Sequence, residues 1–121
     1  MESYPASLDT GQEAVAALAA LAQEHRLAVF RLLVEFEPDG LAAGEIANRL
    51  GLVPSSLSFH LAHLERAGLV AKTRHGRLIV YRAGLGRVRA LASYLLDNCC
   101  GGQTCAAGPS SNQYQRRKAQ A

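Results

Sequence analysis

Three thiols crowd one short stretch of this chain. Cys99, Cys100 and Cys105 are all of its cysteines, and they lie in the segment Asp97-Asn98-Cys99-Cys100-Gly101-Gly102-Gln103-Thr104-Cys105. An odd number in one cluster is not a disulfide framework. Thiolate sulfur is a soft donor and selects soft ions. Structural zinc takes a closed set of four ligands, and the cluster has only three sulfurs and no histidine beside it in sequence. Adjacent Cys99 and Cys100 point in different directions on a helix. The helix must therefore end or unwind to bring both to one ion, and Gly101-Gly102 let the chain curl and deliver Cys105. A helix C-terminus disfavours thiolate, so these thiols are not pre-activated nucleophiles, and ion binding must itself displace their protons. With no Cys/His pair in view, the chain reads as a non-enzyme. A thiol redox switch, a structural metal module and incidental tail cysteines are the competing readings.

The rest of the chain must position this cluster. Its 121 residues suit one small domain with loose ends. No apolar run approaches the roughly 20 residues that span a membrane. Residues 1–11 lack the basic start and apolar stretch of a secretory signal. The expected location is cytoplasmic, with no membrane partner. Charge is uneven. Residues 1–50 hold three Lys/Arg against eight Asp/Glu, and residues 51–100 hold seven against two. A basic half in a small domain is the footprint of a polyanion binder.

Residues 1–9 are short, polar and carry Pro5, and are expected to be disordered. Thr10 and Glu13 have capping-box spacing. The helix they start is expected to bury Val15, Leu18, Ala19 and Ala22. A second helix follows a break at 23–25, with Leu27, Phe30, Leu33 and Val34 inward and His25 as a polar residue at its start. Pro38 and Asp39-Gly40 end it. A short helix over 42–50 puts Ile46 and Leu50 inward, with Gly51 at its C′ position. Pro54 suits the first turn of the next helix, which runs from Ser55 to about Ala67. Leu57, Leu61 and Leu64 face the core there. Ser55, Ser56, Ser58, Phe59, His60 and His63 face outward.

Two helices across so tight a turn form a helix-turn-helix. Small hydroxyls in the second helix's first turn let its backbone approach phosphates and base edges. The outward Phe59 suits a thymine methyl or partial packing. Two β-prone runs, Leu69–Arg74 and Arg77–Arg82, flank His75-Gly76 as a hairpin. Arg74, His75 and Arg77 crowd its tip, as in a wing that holds phosphates or enters the minor groove. A last helix from Ala83-Gly84 carries Leu85, Val88, Leu91, Ala92 and Leu95. With the Ala-rich first helix it offers a dimer surface. The fold class is thus mainly α with a β-hairpin wing, a dimeric winged helix-turn-helix in the order α-α-α-α-β-β-α over residues 10–98. The cysteine cluster at 99–105 follows it, then a Gly/Ser/Gln-rich tail over 106–121, expected to be disordered.

These motifs resemble the ArsR/SmtB family of winged-helix metalloregulators over Leu18 to Tyr81. The resemblance is carried by Ala17 to Leu27, by Gly51-Leu52 with Ser58-Phe59-His60-Leu61, Leu64 and Ala67-Gly68-Leu69-Val70, and by Arg74-His75-Gly76-Arg77 with Tyr81. It implies a homodimeric repressor that leaves operator double-stranded DNA when a toxic metal or metalloid binds. It also implies DNA contacts from Ser55, Ser56, Ser58, Phe59, His60, His63, Arg74, His75 and Arg77. The chain departs from the family in three places. Residues 84–98 contain no histidine and Asp97 stands alone, so the zinc ligands of the last helix are absent. Ala42 to Ala47 contain no cysteine, where many arsenic sensors carry a Cys-x-Cys pair. Gln23 and Val53 stand where Ser or Asp usually caps a helix. The cluster is similar to that of arsenic repressors with a Cys-Cys pair and a third Cys after the last helix. That likeness implies As(III) or Sb(III), in a pyramidal set of three sulfurs from Cys99, Cys100 and Cys105, as inducer, with no organic cofactor.

Overall fold

Leucines three and four residues apart set the centre of the molecule. The computed structural model describes residues 11–97. Expectations for residues 1–10 and 98–121, including Thr10 and the three cysteines, fall outside the described residues. The elements are helices α1 (Gly11–Leu21) and α2 (Glu24–Glu35), strand β1 (Leu41–Ala42), helices α3 (Ala43–Leu50) and α4 (Pro54–Arg66), strands β2 (Val70–His75) and β3 (Leu78–Ala83), and helix α5 (Leu85–Leu95). Leu57, Leu61 and Leu64 of α4 are buried, as their spacing predicts. They meet Val29, Phe30 and Leu33 of α2, Ile46 and Ala47 of α3, and Leu69, Val70 and Leu91. Burying each large side chain contributes about 1.5–3 kcal/mol.

Gln23 does cap α2: its side-chain oxygen accepts a hydrogen bond from the Arg26 backbone N–H at 2.9 Å. Gly51 adopts the left-handed conformation that closes α3.

The sheet is one strand larger than the hairpin expected. Its order is β1-β3-β2, with Leu41 opposite Tyr81 and Ala42 opposite Val80. β1 has two residues, too few to show alternation. Its approach to β3 depends on Gly40, which has φ 78° and lies so close to β3 that a Cβ would meet the Tyr81 carbonyl oxygen at 2.5 Å. The hairpin pairs His75 with Leu78, so Gly76 and Arg77 form its tip. A second tie comes from Glu37. Its carboxylate accepts from the Arg82 guanidinium and from the Ala83 backbone N–H, each at 3.1 Å.

Three apolar faces differ from expectation. α1 buries Ala14, Ala17 and Ala20, while Val15 and Leu18 are exposed. Alanine at every third position lets α1 lie close against α2, α4 and α5, and that close approach turns the larger side chains outward. In α2, Val29 is buried and Leu27 and Val34 are exposed. In α5, Leu91 is buried, Leu85 and Val88 are half-buried, and Ala92, Leu95 and Leu96 are exposed. The buried place on α5 that sequence periodicity did not supply belongs to Arg87, whose guanidinium lies 3.9 Å from Glu13 of α1.

Candidate nucleic-acid interface

Gly51, Leu52 and Val53 make the turn between α3 and α4. The Leu52 N–H donates to the Ala47 carbonyl at 3.0 Å, and the Leu57 N–H to the Val53 carbonyl at 3.0 Å. Pro54 occupies the first turn of α4, and no side chain caps that turn. Its backbone N–H groups are therefore available to an outside acceptor such as a phosphate oxygen.

Ser55, Ser56, Ser58 and Phe59 are exposed, as their positions predict. Phe59 is 63% exposed and does not pack into the core. His60 and His63 depart from expectation, because both are half-buried. His60 turns toward α2, its ring centroid 5.7 Å from that of His25. Its Nδ1 is shielded from solvent and finds no hydrogen-bond partner among the described residues. Burial first, then the charges of Arg26, His25 and His63, hold the His60 pKa below the ordinary histidine value. Burial, Arg26 and Arg66 do the same for His63. Arg26 itself is fixed at the end of α1, its guanidinium donating to the Ala20 carbonyl and, at 3.3 Å, to that of Ala19. Both histidines thus favour the neutral form at pH 7.

The wing carries Arg74, His75 and Arg77, all exposed around Gly76. The Arg74 guanidinium donates to the Gly76 carbonyl at 3.3 Å, which steadies the tip. Between Pro54 and Ala83 there are five Lys/Arg and one acid, Glu65. Glu65 sits 3.8 Å from Lys72 on β2. The structure thus brings the serines and Phe59 together on one face of α4 and the three wing residues together at the hairpin tip. Two members of the α4 face escaped the sequence reading. Ala62 and Arg66 are exposed three and seven residues beyond Phe59, and extending the helical spacing past His63 would have found them. Among the described residues no three His, Cys, Asp or Glu side chains gather as a metal site, and no helix is long and apolar enough to cross a membrane.

A helix-turn-helix domain family matches residues 21–73. The transcriptional activator HlyU of Vibrio cholerae is 37% identical over 83 residues, spanning 69% of this chain and 74% of HlyU. Its solved structure matches with a TM-score of 0.59, covering 74% of this chain and 95% of that one, and a further HlyU structure is described as reduced. An ArsR-like transcriptional regulator from a Rhodococcus species matches with a TM-score of 0.66 at 26% identity, over 93% of this chain and 92% of that one. The homodimeric winged helix-turn-helix DNA-binding domain of a possible ArsR-family regulator from Mycobacterium bovis matches at 0.58 and 28% identity, over 72% and 81%. The reading helix, the wing and these likenesses agree: the chain belongs to the ArsR-type winged helix-turn-helix transcriptional regulators.

Proposed function

We propose that this regulator is a homodimeric repressor that binds operator DNA through α4 and the wing, and leaves it when As(III) or Sb(III) binds Cys99, Cys100 and Cys105. The observation that carries the reading is the placement of all three thiols directly after α5. The donor set suits the ion: three soft sulfurs in one short segment. Ser55, Ser56, Ser58, Phe59, His63 and the wing residues Arg74, His75 and Arg77 would meet the DNA, and His60 would support the helix from behind. The dimer reading rests on Val15 and Leu18 of α1 with Tyr94, Leu95 and Leu96 at the end of α5. All five are exposed on elements that pack together, and the Mycobacterium bovis relative is described as homodimeric. The thiols follow α5 in sequence, and α5 contributes to the surface that would set the spacing of two reading heads. Coupling energies are typically about 1–3 kcal/mol per site and near-complete switching takes roughly 5.5, so both sites of a dimer act together.

The test starts with an operator recovered from a pool of randomised duplexes. Arsenite releases the wild type from it, while Cys99→Ser and Cys100→Ser stay bound. Release of both variants as readily as the wild type removes the sensor assignment. A thiol redox regulator is the second reading, favoured by the adjacent Cys99 and Cys100 and by the reduced form in which HlyU has been described. In that case an oxidant rather than arsenite changes DNA binding, and a reductant restores it.

A further inference from the structure

Phe59 stands on the side of α4 opposite its core face. At about 100° per residue, Leu57 and Leu61 lie roughly 160° around the helix from it, and both are buried. The residues beside it on the outer face are Ser55, Ser56, Ala62 and Arg66, all exposed. The other phenylalanines are used for packing: Phe30 is buried, and Phe36 is half-buried with the Arg49 guanidinium 4.6 Å above its ring. Among the described residues, the one aromatic ring paired with Phe59 is that of its neighbour His60, edge-on at 6.0 Å. One ring among serines, an alanine and an arginine is not a contiguous apolar patch of the kind that docks another protein. Its nearer neighbours Ser55, Ser56 and Ala62 are small, so the ring stands clear on a helix face that can sit deep in a groove, with Arg66 about two turns further along.

The chemistry of base edges narrows what such a face can read. Guanine is read by Arg or Lys and adenine by Asn or Gln, through paired hydrogen bonds. From Pro54 to Glu65 the chain has none of these four residue types, and Arg66, the last residue of α4, stands about 10 Å further along the helix than Phe59 and so faces a different base pair. Serine hydroxyls bond to several bases without strong preference. The apolar feature of the major groove is the thymine methyl, and Phe59 is the larger of the two apolar groups on this face, ahead of Ala62, and reaches furthest toward it. We infer that Phe59 is a specificity-determining residue that reads a thymine methyl at the centre of each half-site. The inference rests on the DNA-binding reading above.

Randomised duplex DNA is the probe, with the full chain selecting from it. In the recovered duplex, each thymine is replaced by deoxyuridine, which lacks only the methyl. Replacement at one position in both half-sites weakens wild-type binding about tenfold, since each buried methyl is worth about three- to fourfold. Phe59→Ala binds the thymine and deoxyuridine duplexes equally. Phe59→Gln, selected afresh, loses the thymine at that position and gains adenine. Equal wild-type binding of thymine and deoxyuridine duplexes at every position overturns the inference and leaves DNA binding standing. So does thymine retained by Phe59→Gln. Failure of the wild type to enrich any duplex removes the DNA-binding reading and this inference together.

Discussion

His60 shows how a side chain on the reading helix can serve the fold instead. Its ring lies 5.7 Å from that of His25 of α2 and feels the charge of Arg26, with His63 one turn further along α4. Its folded pKa is lowered, so the unfolded chain takes up the proton first. Stability attached to the neutral ring is complete well above the ordinary value of 6.5 and is lost as pH falls through that value toward the folded one. His60→Gln, neutral at every pH, should lose less stability than the wild type between pH 7.5 and 5.5. Urea midpoints at the two pH values measure this, and an equal loss in both proteins would show that His60 carries none of the acid sensitivity. The residue is legible from sequence only as polar and on α4. Its burial depends on α2 crossing beside it, which helical spacing within α4 does not contain.

The elements differ in how plainly the sequence announces them. Leu57, Leu61 and Leu64 fix the orientation of α4, because the opposite face offers serines, Phe59, Ala62 and Arg66 to a core. The wing is equally plain, since Gly76 separates two β-prone runs and the cations gather at the tip. The face of α1 is misjudged from sequence because its burial follows small residues: closeness of approach decides the face, and size ranks Val15 and Leu18 wrongly. β1 carries no signal, being defined by its partner strand. Of the site, the serines, Phe59 and the wing are legible from their places along the chain, whereas the inward turn of His60 is not. The wing makes its own prediction. Arg74→Ala with Arg77→Ala should weaken operator binding and lower the slope of log affinity against log salt by about two, close to one for each phosphate no longer neutralised. Titrations at several salt concentrations test it, and an unchanged slope would remove the wing tip from the phosphates.

At the scale of the molecule, three exposed apolar side chains, Tyr94, Leu95 and Leu96, follow one another at the end of α5. Leu95 is 57% and Leu96 is 65% exposed, and Val15 of α1 is 64% exposed. A second copy covering them would bring two reading heads to a fixed separation. Leu95→Glu should shift sedimentation toward the monomer and lower operator affinity by at least about tenfold, since one buried charge against an apolar partner surface costs well over 1.4 kcal/mol. A variant that stays dimeric at micromolar concentration would place the interface elsewhere.

The ties around the wing carry a consequence for regulation. β1 grips the middle of β3, Glu37 holds its end, and Glu65 reaches β2 from α4. Three contacts thus tie the wing to the helices and the loop beside it. If the proposed signal arrives at the far end of α5 of a homodimer, what it would alter is the gap between one head and the other, so such a regulator would work as a ruler laid along the DNA rather than as a clamp that opens.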